Sequence, residues 1–485
     1  MNKQLPERAD LEHLKGQAKT LLLSLRSGDP DALARAGEAK ASYRLADAQR
    51  VLAREYGFAS WSKLKRHVED VPSRRSLFLR ALRGGDRDAV RLLLDTDPAL
   101  IHSYDEEAFG SPAIMIAAER DDRPLVDLLL ERGADIDSRS TWWAGSFGAI
   151  DTASDSMSEY LLARGATLTA HAAARLGLVK ELREIIRESP EVVFERGGDG
   201  QYPLHFSKTP EIVEILVGAG AELDARDLDH TSTAAQFRIM ETDVCRKLIE
   251  VGATADVYIA IMLEDLPLLE RLIDDDPECL GRTPSDAGNP MIPEAPGMPI
   301  YTYNIGLGRP FQVAIAHSKS EASHVIESRS SPVQRLLSAC WGGNEGVAKE
   351  LANLVPELSA RDQAILAEAA WGRRIDAVKL MLELGFDPDA TGIHRSSPLD
   401  RAAFHGFDDV IELILKFGPS LEIQNEFGGN PLSACVHGSL HSWRKDGNFP
   451  RSVELLLAAG SRTHKNLRGS PEVNAVLQRH GIEIG

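Results

Sequence analysis

The segment IVEILVGAGAEL, residues 212–223, is an apolar helix that stops at Gly220 and a small residue. The same phrase returns as LVDLLLERGADI from Leu125, SEYLLARGATL from Ser158 and VCRKLIEVGATA from Val244. It returns again as AVKLMLELGFDP from Ala377, VIELILKFGPSL from Val410 and SVELLLAAGSRT from Ser452. The helix-ending glycines are Gly133, Gly165, Gly220, Gly252, Gly385, Gly418 and Gly460, spaced by 32, 55, 32, 133, 33 and 42 residues. A period near 33 residues predicts stacked helical repeats, and the 133-residue gap is close to four such units. One unit cannot close a core alone, so the stack is the cooperative structure, and stacks present long concave binding surfaces.

The stretch GGDGQYPLHFSKTPEIVEILVGAGAELD, residues 197–224, resembles the ankyrin repeat, with Tyr202 where that family has Thr. Further helix starts are Ser111-Pro112, Ser397-Pro398-Leu399 and Asn430-Pro431-Leu432. Proline suits a first helical turn, where its missing N–H needs no partner. Ser or Asn before it can cap the free amides, and glycine at the far end tolerates left-handed geometry. Leu128, Leu129, Ile215, Leu216, Leu413 and Ile414 form the apolar faces. Other units end at Pro98, Pro190, Pro277 and Pro356 and resemble degenerate copies that fill the wide gaps. The resemblance implies an all-α, ankyrin-repeat α-solenoid of helix-turn-helix units with hairpin fingers. Roughly eleven or twelve helix pairs are expected between about 75 and 482. A fold of this kind says little about activity.

Ahead of the repeats, Leu11, Leu14, Ala18, Leu21, Leu22 and Leu25 lie on one face of an amphipathic helix that ends at Gly28-Asp29-Pro30. LADAQRVLAREYGF from Leu45 and ASWSKLKRHVE from Ala59 read as two more helices. Together they resemble a helical module found ahead of bacterial ankyrin arrays, which implies a bacterial source. Residues 1–72 are therefore read as a helical cap or docking module, and 73–485 as the repeat array. A cap would cover the apolar edge of the first repeat, as stacks of this kind require.

The 485 residues carry a net charge of −18, of which residues 1–70 contribute +3 and the remainder −21. Acidic repeats repel phosphate backbones, so nucleic acid is not an expected partner. The N-terminus has no apolar run of signal-peptide type, and no stretch is long enough to span a membrane. Cys245, Cys279, Cys340 and Cys435 lie far apart, as reduced cysteines in a cytoplasmic protein would.

Four segments leave the repeat pattern, which is where function in a repeat array concentrates. Residues 141–148, TWWAGSFG, replace an ordinary finger, and Trp142 and Trp143 suit partner binding or loop packing. Residues 226–233, RDLDHTST, offer Asp227, Asp229 and His230 for a polar ligand, or simply for turn geometry and capping. His205, at the TPLH position, reads as structural. Residues 281–309 hold five prolines and five glycines and end in an aromatic run with Tyr301 and Tyr303. So long an excursion favours a binding loop, with disorder as the alternative for its proline-rich half. Residues 437–450 carry His437, His441 and Trp443. The two histidines are spaced like a helical zinc pair, but Gly438 replaces the catalytic Glu of that motif and no third ligand is evident. An exposed patch for a partner or ligand is expected there, with no metal and no cofactor. These segments resemble a subgroup of bacterial ankyrin proteins, a resemblance that carries no activity.

No nucleophile elbow, phosphate loop, dinucleotide fingerprint or paired-cysteine zinc motif occurs. The leading expectation is a non-catalytic scaffold that grips a protein through its concave face. The alternative is a small-molecule site or enzyme, with His230 as acid/base, Asp227 and Asp229 orienting it, and Trp142, Trp143, Tyr303 and Trp443 as walls. A third reading is a structural spacer.

Overall fold

The unit from Ser397 to Leu421 shows how one repeat is built. Ser397 accepts a hydrogen bond from the Asp400 amide at 3.2 Å, and Pro398 opens the helix Pro398–Phe404. Gly406, at φ 67°, turns the chain into the antiparallel helix Asp408–Leu415. Its missing Cβ matters, because one would stand 2.9 Å from the Phe449 ring. Leu399, Ala402, Val410, Ile411 and Ile414 are fully buried between neighbouring units. Gly418 then ends the second helix at φ 66°. All seven helix-ending glycines of the sequence pattern have positive φ, from 66° to 110°.

The computed structural model describes residues 11–37, 43–70, 73–286, 289, 293, 295–463 and 467–484, with backbone alone for 11–13 and 66–70. Among these, twelve helix pairs follow one another from Arg74–Gly84 to Phe449–Ala458, with Pro471–Arg479 after them. The protein is thus all-α with short fingers. Tyr104–Asp105 pairs antiparallel with Ser111–Pro112, and single bridges join Arg139 to Gly148 and Arg226 to Thr233. Pro98, Pro190 and Pro277 each open a 3-10 turn after a second helix, and Pro356 lies inside one. Pro290, part of the proline-rich excursion, lies outside the described residues.

The chain divides into two compact units. One comprises residues 1–208 and 218–221, the other 209–217 and 222–485. In the first, the N-terminal segment forms four helices, Leu11–Arg26, Pro30–Ala36, Leu45–Glu55 and Trp61–Asp70. The short second helix was not expected from the sequence. Asp29 caps it and proline sits in its first turn, so the residues read as a stop are also a start. Leu21, Leu25, Ala32 and Val51 cluster on one side of this module, and Leu14, Ala18, Leu52 and Leu64 on another. A separate repeat core begins at Phe78 and runs through Leu129 to Leu161.

Repeats are also tied by a polar ladder. In the first unit the Asp137 carboxylate accepts from the Thr167 amide at 2.9 Å and its hydroxyl at 2.7 Å. In the second, Asp224 does the same for Thr254 at 2.9 and 2.5 Å, and Asp389 accepts from the Ser420 amide at 2.8 Å.

Candidate functional site

In the first unit, the finger between Arg139 and Gly148 carries the paired tryptophans. Trp142 is half-buried, with its indole Nε1 enclosed and unpartnered among the described residues. Its ring meets Phe109 edge-on at 5.0 Å and Trp143 at 5.9 Å. Trp143 is 58% exposed, and so is most of Phe109. The Thr141 amide donates to the Gly110 carbonyl at 3.1 Å, which joins this finger to the preceding one. Gly145 lies so close to residues 197–200 that a Cβ would stand 2.1 Å from the Gly197 carbonyl oxygen. The loop is thus held down at its base, with one tryptophan lifted outward. His205 accepts from the Tyr202 amide at 3.2 Å through Nδ1, a capping role.

In the second unit, Asp227 and Asp229 behave differently. The Asp227 carboxylate accepts from the Ser232 amide at 2.6 Å and the His230 amide at 2.8 Å. Both of its oxygens therefore shape the turn, in which Thr231 takes φ 50°. Burial raises its carboxyl above the ordinary value, and the two amides oppose that. Asp229 faces outward enough for its Oδ2 to lie 3.7 Å from His230 Nε2.

The aromatic half of the 281–309 excursion folds onto this turn. His230 Nδ1 donates to the Met298 carbonyl at 2.7 Å, and the Gly297 amide donates to the Asp229 carbonyl at 2.9 Å. Tyr301 is fully buried in the short helix Tyr301–Asn304. Its hydroxyl donates at 2.7 Å to Asp256, which also takes the Gln236 side chain at 3.0 Å and caps Val257–Leu263. Tyr258 donates to the Arg282 carbonyl at 3.0 Å and clamps the start of the excursion. Tyr303 stands 5.7 Å from the His230 ring and is 66% exposed. Residues 227–230, 301 and 303 are therefore brought together.

His437, His441 and Trp443 form another group, on other repeats of the same unit. The helix Pro431–His441 extends through both histidines, whose rings stack at 4.2 Å on its exposed side. Burial and the neighbouring His441 lower the His437 value. Trp443 follows the helix, is 63% exposed, and leans on His405 at 4.9 Å and Trp371 at 5.5 Å. His405 is enclosed, donates or accepts at 2.8 Å with the Ser442 hydroxyl, and touches Trp371 at 4.1 Å. Burial, with Arg444 and Arg401 nearby, lowers its pKa to about 4, so it is neutral near pH 7.

Sequence reading missed Trp341, Trp371, Phe404 and His405. The signal was available: Ala339-Cys340-Trp341, Ala369-Ala370-Trp371 and Ala402-Ala403-Phe404 place an aromatic at one position of three successive first helices. Because each fits the repeat pattern, none stands out as an irregularity.

An array of capped helix pairs with bonded fingers is the ankyrin architecture, and the ankyrin repeat family model matches residues 109–141. The chain is 23% identical to an E3 ubiquitin-protein ligase, KEG, of Arabidopsis thaliana, over 74% of this chain and 19% of the ligase. It is 26% identical to human Ankyrin repeat and SOCS box protein 16, over 50% of this chain and 54% of that protein. The chain therefore spans about half or less of the length of these relatives. The crystal structure of the human ASB11 ankyrin repeat domain aligns with 61% of this chain and 100% of that domain, at 16% identity and a TM-score of 0.25. These findings support an ankyrin-repeat protein. No helix among the described residues is long and apolar enough to cross a membrane.

Proposed function

We propose that this protein is a non-catalytic scaffold that grips a protein partner through its repeat surface and the aromatics raised from it. One observation carries this reading. Trp143, Tyr303 and Trp443 are more than half exposed, and each rests on a more enclosed ring: Trp142, His230 and Trp371 respectively. Large rings held in place lose little freedom on binding, which suits them as anchors. The candidate contacts are these three with Trp142, Asp229, His230, His437 and His441, while Asp227 and Tyr301 support the turn and the excursion. Ankyrin repeats mediate protein contacts in general. The ligase and SOCS-box names of the relatives describe those proteins and suggest no more here than a recruiting role for repeats.

Four free cysteines, three of them buried, fit a reducing cytoplasm, and the N-terminal helices fit a bacterial array protein. The test is photo-crosslinking in the source cells from a benzoyl-phenylalanine placed at Trp143, Tyr303 or Trp443. A single polypeptide crosslinked from Trp143 and lost when Trp142 becomes Ala, or crosslinked from Tyr303 and lost when Trp443 becomes Ala, is the expected result. Crosslinks to nothing, or to an indiscriminate mixture, would remove the scaffold reading.

A further inference from the structure

Two arginines in the second unit lie over tryptophans of the preceding repeat. The Arg374 guanidinium stands 4.7 Å from the Trp341 ring centroid, and that of Arg401 stands 4.5 Å from Trp371. Their neighbours Arg373 and Arg444 are paired with Asp409 and Asp446 at 2.8–3.1 Å. Arg374 and Arg401 have no ion-pair partner among the described residues. Among the described residues Arg374 donates to the Trp341 carbonyl alone, at 2.8 Å, and its buried Nε has no partner. Arg401 donates to the Ile393 carbonyl at 2.9 Å. Asp400 and Glu368 act on Arg401 through space and favour its charged form but make no ion pair with it, and they accept instead from the side-chain amides of Asn425 at 3.1 Å and Gln312 at 2.8 Å. Both side chains are half-buried, and that burial lowers their pKa.

We infer that the Trp341–Arg374 and Trp371–Arg401 pairs, extended by Trp443, are a docking stripe for an acidic segment of a partner protein. The inference rests on the scaffold reading and names the chemistry of its partner. A half-buried guanidinium without a direct ion pair is a site that an incoming carboxylate can stabilise. Its planar fork takes that group bidentately, and the ring beneath keeps the fork in place. Rings alternating with guanidiniums along successive repeats suit a segment in which apolar side chains alternate with Asp or Glu. In a chain of net charge −18, two half-buried arginines without ion pairs on successive repeats favour an acidic over a basic segment at this place.

The experiment is selection of random displayed peptides against the full-length protein, followed by binding titrations. Enriched peptides should carry Asp or Glu among apolar residues and bind at least tenfold more weakly to the Arg374→Met/Arg401→Met variant. Binding should also weaken as salt rises. Circular dichroism checks the variant's fold. Should it unfold, Arg401→Lys keeps the charge but loses the fork, and should still weaken binding. The inference is overturned by enriched peptides without acidic residues, by no enrichment, or by variants that bind like the parent. It is equally overturned if inorganic phosphate displaces the peptides at low concentration, or if the stripe proves to be buried by a second copy of the chain. Any of these beside a genuine crosslinked partner refutes the acidic chemistry and leaves the scaffold intact.

Discussion

His405 is the residue with the clearest consequence in solution. Its pKa falls from 6.5 to about 4 because the folded protein excludes water from the ring and places Arg444 and Arg401 near it. Unfolding restores the ordinary value, so between pH 6.5 and 4 the unfolded chain binds a proton that the folded one refuses. Stability from this group is complete above about pH 6.5 and is lost as pH falls toward 4, by roughly 2–3 kcal/mol. Urea unfolding across that range should show the slope in the parent and a shallower one in His405→Gln. Equal slopes would mean that the ring is not desolvated. Little of this could be read from the sequence. His405 occupies an ordinary place after Ala402-Ala403-Phe404, and its surroundings arrive from Trp371, Ser442 and Trp443, as far as 38 positions away. The exposed irregularities Trp143, Tyr303 and Trp443 were legible because they break a pattern. Trp371 and Arg401 were not, because they obey it.

At the scale of the element, glycine allows the last insertion to lie against its neighbour. A Cβ on Gly438 would stand 1.9 Å from the Phe404 carbonyl oxygen, and one on Gly447 would stand 1.9 Å from that of His405. Both obstacles are backbone and cannot swing aside. Gly438→Ala should therefore cost about 2–4 kcal/mol and loosen Trp443 from its rings, seen as a lower melting temperature and a changed near-ultraviolet circular dichroism. An unchanged melt would show that the helix Pro431–His441 can shift. The 281–309 excursion teaches a related lesson. Its length and composition mark a binding loop, with disorder as the alternative for its proline-rich half. What it finds is Asp256, a helix cap 45 residues earlier, whose lone pair Tyr301 fills. Tyr301→Phe should destabilise by about 1–2 kcal/mol, the cost of a lost bond to a buried carboxylate, measured by the same unfolding curves. Composition cannot name such a partner, since any capping Asp in the array would serve as well.

For the molecule as a whole, periodicity carried most of the information. Seven glycines place the ends of seven second helices, each with a left-handed stop, while the helices before Pro98, Pro190 and Pro277 end in extended backbone instead. The role of the first seventy residues was less legible, since a cap and a docking module share one amphipathic pattern. Its apolar residues gather in clusters of their own, apart from the core that begins at Phe78. A chain starting at Ser73 is therefore expected to melt within about 2 °C of the parent by calorimetry, and a drop beyond about 5 °C would establish the cap. The aspartate ladder has a kinetic meaning. Its bonds join residues only 30 or 31 positions apart, so most of the array has low contact order and can form by growth from any seed. The excursion is different: Met298 meets His230 across 68 positions and Arg361 reaches the Gly281 carbonyl across 80. Those closures must wait until the intervening repeats are in place. In hydrogen exchange, the Gly297 amide should open well before those of Val257–Leu263. The part of the chain that departs furthest from the repeat is thus the last to be made and the first to be undone.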